Sequence, residues 1–239
     1  MSTATDTLRT RNMQKRRTRI ITEARKLLAC GGNGALNLRD LASQANLTVP
    51  TIYNLIGKKE DVLLAVVGEV LNEIESRIAP ASAADPLDLA VALVEESTRL
   101  FSEDEDFYRS AFLAVEGLEE SDQHHHEVER IYAWAEALIL EGVNACRKAR
   151  LLRGRIPVES MSKLITRNYR MSCRGWAFGH YSIDEFRRQA IADLYIILAA
   201  DAVEIFHSKL ISNISETEAE NNVATVTEKL KRNNQGEAI

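Results

Sequence analysis

The spacing of the apolar residues restricts the fold of this 239-residue chain more than any other feature, because they recur every three or four positions along almost its whole length. Apolar residues at this spacing lie on one face of an α-helix, whereas a half-buried strand requires apolar and polar residues to alternate. The sequence contains no run of alternating Val, Ile, Thr and aromatic residues. The pattern therefore predicts an all-α protein.

Changes in composition divide the chain into four segments. We expect a flexible, polar N-terminal arm at residues 1–14, a domain of short helices at 15–60, a larger helical domain at 61–212 and a polar tail at 213–239. The first helix is expected to follow the arm and to end at the glycine cluster of residues 31–34, since glycine favours helix ends. The last two long helices are predicted over Val158–Gly179 and Ile183–Ser212.

The overall charge of −5 conceals an uneven distribution. Residues 1–60 carry 11 Lys and Arg against 4 Asp and Glu, a net charge of +7, so the remainder carries −12. A basic end on an acidic body favours a polyanionic partner for the N-terminal segment.

Several classes of protein are disfavoured. No apolar run reaches the roughly 18–20 residues that span a bilayer, and no signal peptide is evident, so we expect a cytoplasmic protein without membrane contact. Three widely spaced cysteines are expected to be reduced thiols. Nucleophile and phosphate-loop motifs are lacking, which argues against an enzyme and predicts no cofactor. Consecutive histidines at 124–126 point about 100° apart on a helix, so no metal site is predicted.

Two short apolar segments near the N-terminus predict a helix-turn-helix. Helices around Leu38–Ala45 and Val49–Ile56 are separated by only three residues, and their apolar faces can share one small core. Thr48 is a good N-cap, and Pro50 falls in the first turn, where a missing backbone N–H costs nothing. The second helix is therefore started rigidly, and its other face is free.

The exposed residues of this segment suit a DNA groove. Asn54 can pair with adenine, and Thr51 can contact a thymine methyl group or a phosphate. Val49 and Pro50 offer small apolar contacts, and Arg39 could reach a guanine or the DNA backbone. The candidates that would hold phosphates without reading sequence are Tyr53, Lys59, Lys15, Arg16 and Arg17. For the basic cluster at residues 15–19 alone, the alternative interpretation is a solvated helix end.

A dense set of residues between Arg19 and Leu63 resembles the DNA-binding domain of the tetracycline-repressor (TetR) family. The resemblance rests on Ile20, Ile21, Ala24, Leu27, Asp40-Leu41-Ala42, Ala45, Leu47-Thr48, Pro50-Thr51-Ile52-Tyr53, Lys59-Glu60 and Leu63. It implies a homodimeric transcriptional regulator, usually a repressor, that a small molecule releases from a palindromic operator. It also implies that Arg39, Val49, Pro50, Thr51, Tyr53, Asn54 and Lys59 lie at the DNA. Thr48, the expected cap of the second helix, is a further DNA-binding candidate. Asn46 stands at the usual turn glycine, which Asn can replace because it also enters the left-handed region.

The larger domain is predicted to bind an effector and to dimerise. We expect a small apolar or aromatic effector among aromatic and sulfur side chains, although such residues also form ordinary helical cores: Phe101, Tyr108, Phe112, Trp134, Tyr169 and Cys173. A four-helix dimer interface is expected on the last two helices, with a plain monomer core as the alternative: Trp176, Phe178, Phe186, Leu194, Ile197, Leu198 and Ile205.

Two other functions remain open at this stage. A protein-interaction adaptor could keep the helix-turn-helix as a scaffold, and it would show no salt-dependent DNA binding. A cytosolic enzyme would turn over a ligand bound by the larger domain. A DNA-binding regulator instead loses affinity at specific base positions when Asn54 is truncated.

Overall fold

The computed structural model describes residues 3–81, 85–119 and 124–216. Within these ranges the regular structure is helical, apart from one isolated antiparallel bridge between Leu152 and Ala202. The all-α prediction is confirmed. The helices are α1 (Thr3–Ala35), α2 (Leu38–Gln44), α3 (Val49–Leu55), α4 (Lys59–Ala81), α5 (Pro86–Glu103), α6 (Glu105–Glu119), α7 (His125–Lys148), α8 (Val158–Ala177), α9 (Ile183–Ala199) and α10 (204–216).

The chain forms two compact units. The first includes the described parts of Met1–Ala79 and Arg99–Ala133, and the second includes those of Pro80–Thr98 and Trp134–Ile239. The division therefore falls within α5 and α7 and just before the end of α4. The boundaries expected at residues 14, 60 and 212 stay predictions, and residues 217–239 of the predicted tail lie outside the described residues.

Helices α1, α2 and α3 of the first unit share one apolar core. Ile20 and Leu28 of α1 are fully buried, as are Leu41 of α2 and Ile52 of α3. Asn46, between α2 and α3, has φ +52°, so it takes the left-handed conformation expected of the residue that replaces glycine there. These short helices cannot be stable alone, and their packing on α1 fixes them.

The predicted start of the first helix is wrong. Helix α1 begins at Thr3 and continues without a break through residues 3–14 and the glycine cluster to Ala35. Residues 8–16 are exposed in this helix. This segment contains four Thr residues, which are weak helix formers, but its Ala, Leu, Arg, Met and Gln residues are strong ones. A segment without an apolar face can therefore extend a helix that is nucleated further along the chain.

In the second unit, α8 and α9 pack on each other through large side chains. Trp176 and Phe186 are fully buried, with ring centroids 6.2 Å apart. Helices α5 and α7 approach closely at Gly142, where a Cβ atom would lie 2.4 Å from the Cα of Ala90. Only glycine permits that distance, so the contact of α5 with α7 depends on this residue.

The single helix predicted over Ile183–Ser212 is also wrong, because α9 ends at Ala199 and α10 begins at 204. The break is fixed by Asp201, which is 1% exposed. Its carboxylate accepts hydrogen bonds from the backbone N–H groups of Gly154 at 2.7 Å and Arg155 at 2.9 Å. Its carbonyl accepts another from Arg153 at 2.6 Å. Contacts with the loop before α8 therefore interrupt a helical apolar pattern.

Two further observations concern the described residues alone. None of the helices in this part of the chain is long and apolar enough to cross a membrane. Within it, no group of three or more His, Cys, Asp or Glu side chains is arranged to hold a metal ion. His125 and His126 instead lie 3.2 and 3.4 Å from carboxylate oxygens of Glu129, one turn further along α7.

Candidate nucleic-acid interface

The start of α3 is fixed by local side-chain chemistry. Thr48 has extended backbone angles, and its side chain accepts a hydrogen bond from the backbone N–H of Thr51 at 3.3 Å. The two hydroxyl oxygens lie 2.8 Å apart, so the Thr51 hydroxyl is engaged with the cap. Pro50 occupies the first turn, as predicted. Helix α3 therefore starts in one defined position on α2.

The outer face of α3 presents polar and aromatic groups. Ile52 is buried on the inner face, whereas Pro50 and Asn54 are exposed and Tyr53 is 51% exposed. Val49 and Thr51 are half-buried at the edge of this face. The amide of Asn54 can donate and accept at a base edge, and the Tyr53 hydroxyl can reach a phosphate.

The helices next to α3 in the sequence and in the packing carry cations. Lys15 and Arg16 of α1 and Arg39 of α2 are exposed, and Lys59 at the start of α4 is half-buried. The start of α4 is fixed by Asp61, whose carboxylate accepts a hydrogen bond from the backbone N–H of Lys58 at 2.7 Å. Exposed cations around a polar helix face provide the two parts of groove recognition, which are phosphate contacts for register and base contacts for sequence.

Two of the cations at positions 15–19 of α1 bond inside the unit. The Arg17 guanidinium donates to the carbonyl of Leu55 at the end of α3, at 3.1 Å, and that of Arg19 donates to the carbonyl of Ala45 at the end of α2, at 3.4 Å. A cation at a helix C-terminus is favoured by the unpaired carbonyls and by the helix dipole. Arg17, expected at a phosphate, therefore holds α3 against α1 in this structure.

Three of the residues expected at an effector lie in the first unit. Phe101 and Tyr108 are buried with ring centroids 5.2 Å apart, and Phe112 is half-buried. The Tyr108 hydroxyl accepts from Arg25 at 3.1 Å and donates to Glu73 at 3.2 Å. Both hydrogen-bonding roles of this hydroxyl are thus occupied by protein groups.

The other three lie in the second unit. Trp134 is half-buried on α7, and Cys173 is buried on α8. The Tyr169 hydroxyl lies 2.7 Å from the hydroxyl of Ser97 on α5, and burial raises the pKa of Tyr169 well above its ordinary value. This tyrosine therefore keeps its proton and joins α5 to α8 in a polar pair within the unit.

The residues expected at a dimer interface divide into two groups. Trp176, Phe186, Leu194 and Leu198 are at most 1% exposed, because they form the core between α8 and α9. They are therefore unavailable on the surface of one protomer, which corrects that part of the expectation. The others have accessible surface: Ile197 is half-buried, Phe178 is 52% exposed and Ile205 is 86% exposed.

Sequence reasoning missed residues whose partners are distant along the chain. Arg25 and Glu73 are 48 positions apart, and Ser97 and Tyr169 are 72 apart. No spacing pattern reports such a pair. For Arg17 and Arg19 the proximity of α1 to the helix-turn-helix was the available signal, but a basic cluster does not show which cations turn inward.

Residues 20–66 match the sequence profile of a family described as bacterial regulatory proteins, tetR family. The matched range covers α1 from Ile20, α2, α3 and the first part of α4. No curated protein matches the chain.

Solved structures with the same fold include several transcriptional regulators. A putative TetR-family regulator from Rhodococcus sp. aligns with TM-score 0.65 and 13% identity over 77% of this chain and 99% of that one. SmeT, the repressor of the Stenotrophomonas maltophilia multidrug efflux pump SmeDEF, aligns with TM-score 0.61 and 18% identity over 80% and 92%. FadR, a fatty acid degradation regulator from Bacillus halodurans, aligns with TM-score 0.62 and 16% identity over 76% and 94%. At these identities the likeness establishes a shared fold.

Proposed function

We propose that this chain is a sequence-specific DNA-binding transcriptional regulator of the tetR family, because residues 20–66 match that family and a putative TetR-family regulator shares its fold. The observation that carries the proposal is α3, a capped helix whose outer face presents Tyr53 and Asn54 beside the exposed cations Lys15, Arg16 and Arg39. This combination of base-reading and phosphate-holding groups on one small unit is what recognition of a DNA groove requires.

Selection of bound duplexes from a random-sequence library by the full-length protein tests the proposal. We expect an enriched palindrome with half-sites about one helical turn, roughly 34 Å, or a multiple apart. The logarithm of the affinity for the enriched duplex should fall linearly with the logarithm of salt concentration. Failure to enrich any sequence, together with salt-independent binding, would favour an adaptor that uses the helix-turn-helix only as a scaffold.

Reading two half-sites requires a dimer, and the exposed side of α8 is the surface that we assign to it. Leu164, Met171 and Phe178 follow one another at seven-residue intervals, so they lie on one stripe of the helix, and they are 37%, 59% and 52% exposed. On α9, Ile196 is 57% exposed. Large apolar groups aligned along a helix favour self-association over contact with water.

Met171→Asp tests this interface, because a carboxylate placed in an apolar contact lacks a partner. We expect the variant to sediment as a monomer at micromolar concentration while the unchanged protein sediments as a dimer. Met13→Asp is a matched control, since Met13 is 48% exposed but lies on α1 in the other unit. A monomeric unchanged protein, or a dimeric Met171→Asp variant, would contradict the assignment.

A small molecule is proposed to control DNA binding. Two structural neighbours support this. One is named a gamma-butyrolactone receptor, and the other is described in connection with the control of antibiotic production by bacterial hormones. In this chain, the hydroxyls of Ser97 and Tyr169 and the thiol of Cys173 offer polar contacts among apolar side chains of the second unit. The effector is expected to be small and apolar or aromatic.

Repression in the cytoplasm is the expected mode of action. SmeT is named a repressor, and a protein bound across a palindrome can block access to it. A reporter gene placed behind the selected palindrome should be expressed less in cells that contain the protein. Higher expression would identify an activator instead.

A further inference from the structure

Arg25 lies where three helices of the first unit meet. Its guanidinium bonds to a carboxylate oxygen of Glu73 on α4 at 2.8 Å and to the hydroxyl of Tyr108 on α6 at 3.1 Å. The Tyr108 hydroxyl in turn donates to the other oxygen of Glu73 at 3.2 Å. One cation, one carboxylate and one hydroxyl therefore form a closed triangle that joins α1, α4 and α6.

Aromatic rings hold this triangle from the side. The Arg25 guanidinium carbon lies 4.4 Å from the ring centroid of Phe107, which is fully buried, and 5.7 Å from that of Tyr108. A planar guanidinium stacks on a ring while its edges donate to oxygen atoms, which an ammonium group cannot do. The position of Arg25 is thus set in two directions.

The Tyr108 hydroxyl can accept and donate at once only if it keeps its proton. Burial raises the pKa of Tyr108 to about 12, so the hydroxyl is protonated at neutral pH. Removing this oxygen would leave Arg25 and Glu73 each with one fewer partner in a half-buried site. The triangle therefore acts as a unit and is not a single surface ion pair.

Helix α1 also holds the helix-turn-helix, α2 and α3, through side-chain bonds. Arg17 and Arg19 of α1 bind the C-terminal carbonyls of α3 and α2, eight and six residues before Arg25. A rotation of α1 on α4 and α6 would therefore move α3 with it. A dimeric reader tolerates little such movement, because half-site spacing is set by the distance between the two recognition helices.

We infer that Arg25, Glu73 and Tyr108 are positioning residues for DNA recognition: the triangle sets the angle of α1, and with it α2 and α3, on α4 and α6. The inference rests on the proposed function. It concerns the geometry of DNA reading, so loss of the triangle should relax the choice of half-site spacing more than it weakens attraction to DNA in general.

Tyr108→Phe and Glu73→Gln in the full-length protein test the inference. The probes are the duplex enriched by selection, versions with one base pair added or removed between the half-sites, and a scrambled duplex of equal length. We expect both variants to lose at least about fivefold in the ratio of affinity for the enriched duplex to affinity for the scrambled one. The ratio of affinity for the enriched duplex to affinity for the versions with altered spacing should fall by a similar factor.

Glu105→Gln is the matched control. Glu105 pairs with Arg109 at 2.8 Å and has the same side-chain exposure as Glu73, 39%, but this ion pair lies within α6. It should leave both ratios unchanged. Tyr108→Phe keeps the ring and its packing, so it stays informative if Glu73→Gln melts below the assay temperature.

Three outcomes overturn the inference. The first is a Tyr108→Phe variant with the specificity ratio and spacing preference of the unchanged protein, even if its melting temperature falls. The second is an equal effect of Glu105→Gln. The third is an unchanged protein that shows no salt-dependent DNA binding. That result refutes the proposed function as well, and it is seen in the unchanged protein without any variant.

Discussion

Arg16 and Arg17 are neighbours among the cations of residues 15–19, and they lie in different environments. Arg16 is exposed on α1, whereas the half-buried Arg17 donates to the carbonyl of Leu55 at 3.1 Å. If Arg16 contacts a phosphate, its removal reduces the number of counterions released on binding. If Arg17 holds α3, its removal weakens the helix-turn-helix without changing that number.

The two tasks have different magnitudes. One phosphate contact contributes about 0.9 to the slope of log affinity against log salt, so Arg16→Ala should make the loss of affinity between 50 and 200 mM salt about 3.5-fold smaller than it is in the unchanged protein. The bond from Arg17 is charged but half-buried, so Arg17→Ala should lower the free energy of unfolding by about 1 kcal/mol. Its affinity for DNA should fall by the same factor at every salt concentration.

Fluorescence anisotropy of the selected duplex at four or five salt concentrations, with urea unfolding of the same samples, measures both quantities. Lys26→Ala is the control, because Lys26 lies on α1 but pairs with Glu23 at 3.0 Å away from the basic cluster. It should change neither. Equal losses of slope for Arg17→Ala and Arg16→Ala would refute the reasoning, since Arg17 would then contact phosphate and the bond to Leu55 would not survive in the complex.

The remaining predictions concern recognition, stability and acid. Asn54→Ala should cost about 1–3 kcal/mol of binding at particular base positions and little elsewhere, as measured with singly substituted duplexes. Asp201→Asn should lower the free energy of unfolding in urea by about 1–3 kcal/mol because one buried backbone N–H loses its acceptor, whereas Asp184→Asn, exposed in the first turn of α9, should cost less than about 1 kcal/mol. The backbone N–H of Leu87 and the ammonium of Lys209 lower the pKa of Asp85 below 3.8. Its ionised form therefore stabilises the fold above that pH, and this stabilisation is lost as the pH falls through the lowered pKa. Asp85→Asn should reduce the fall in melting temperature between pH 5 and pH 2, and an unchanged fall would contradict this assignment.

The helix-turn-helix could be predicted from sequence because its determinants are local. Thr48 caps α3 through a residue three positions away, and Pro50 acts within its own turn. Asn46 adopts its positive φ by its own conformational preference. Such signals are complete within about ten residues, so they survive without knowledge of the rest of the fold.

The break after α9 could not be predicted for the opposite reason. Leu198, Ala202, Phe206 and Leu210 are all buried and follow one another at intervals of four, so the apolar pattern continues through the break. The residue that interrupts the helix is Asp201, and its hydrogen-bond partners lie 46 and 47 positions earlier. Periodicity shows which face is apolar, but it does not show where a distant backbone competes for hydrogen bonds.

The expected dimer interface shows a related limit. The apolar residues of the last two helices were expected at that interface, but the largest side chains, Trp176 and Phe186, lie in the core. The exposed stripe is built from Leu164, Met171 and Phe178, which differ from the buried residues only in helical phase. Assigning phase requires knowing which neighbours already cover each face, and that knowledge comes from the packed structure.

The two tyrosines expected at an effector now have separate tasks, and the separation bears on control. Tyr108 is saturated by Arg25 and Glu73, so a ligand could use its hydroxyl only by breaking the triangle that joins α1 to α4 and α6. Tyr169 pairs with neutral groups, the hydroxyl of Ser97 and the thiol of Cys173, and a ligand can replace either at little cost because one neutral hydrogen bond is exchanged for another. An effector that contacts Tyr169 therefore adds binding energy without breaking that triangle. For such an effector to release the protein from DNA, it must bind one arrangement of the helices more tightly than another. A ligand with equal affinity for both arrangements does not change the equilibrium between them.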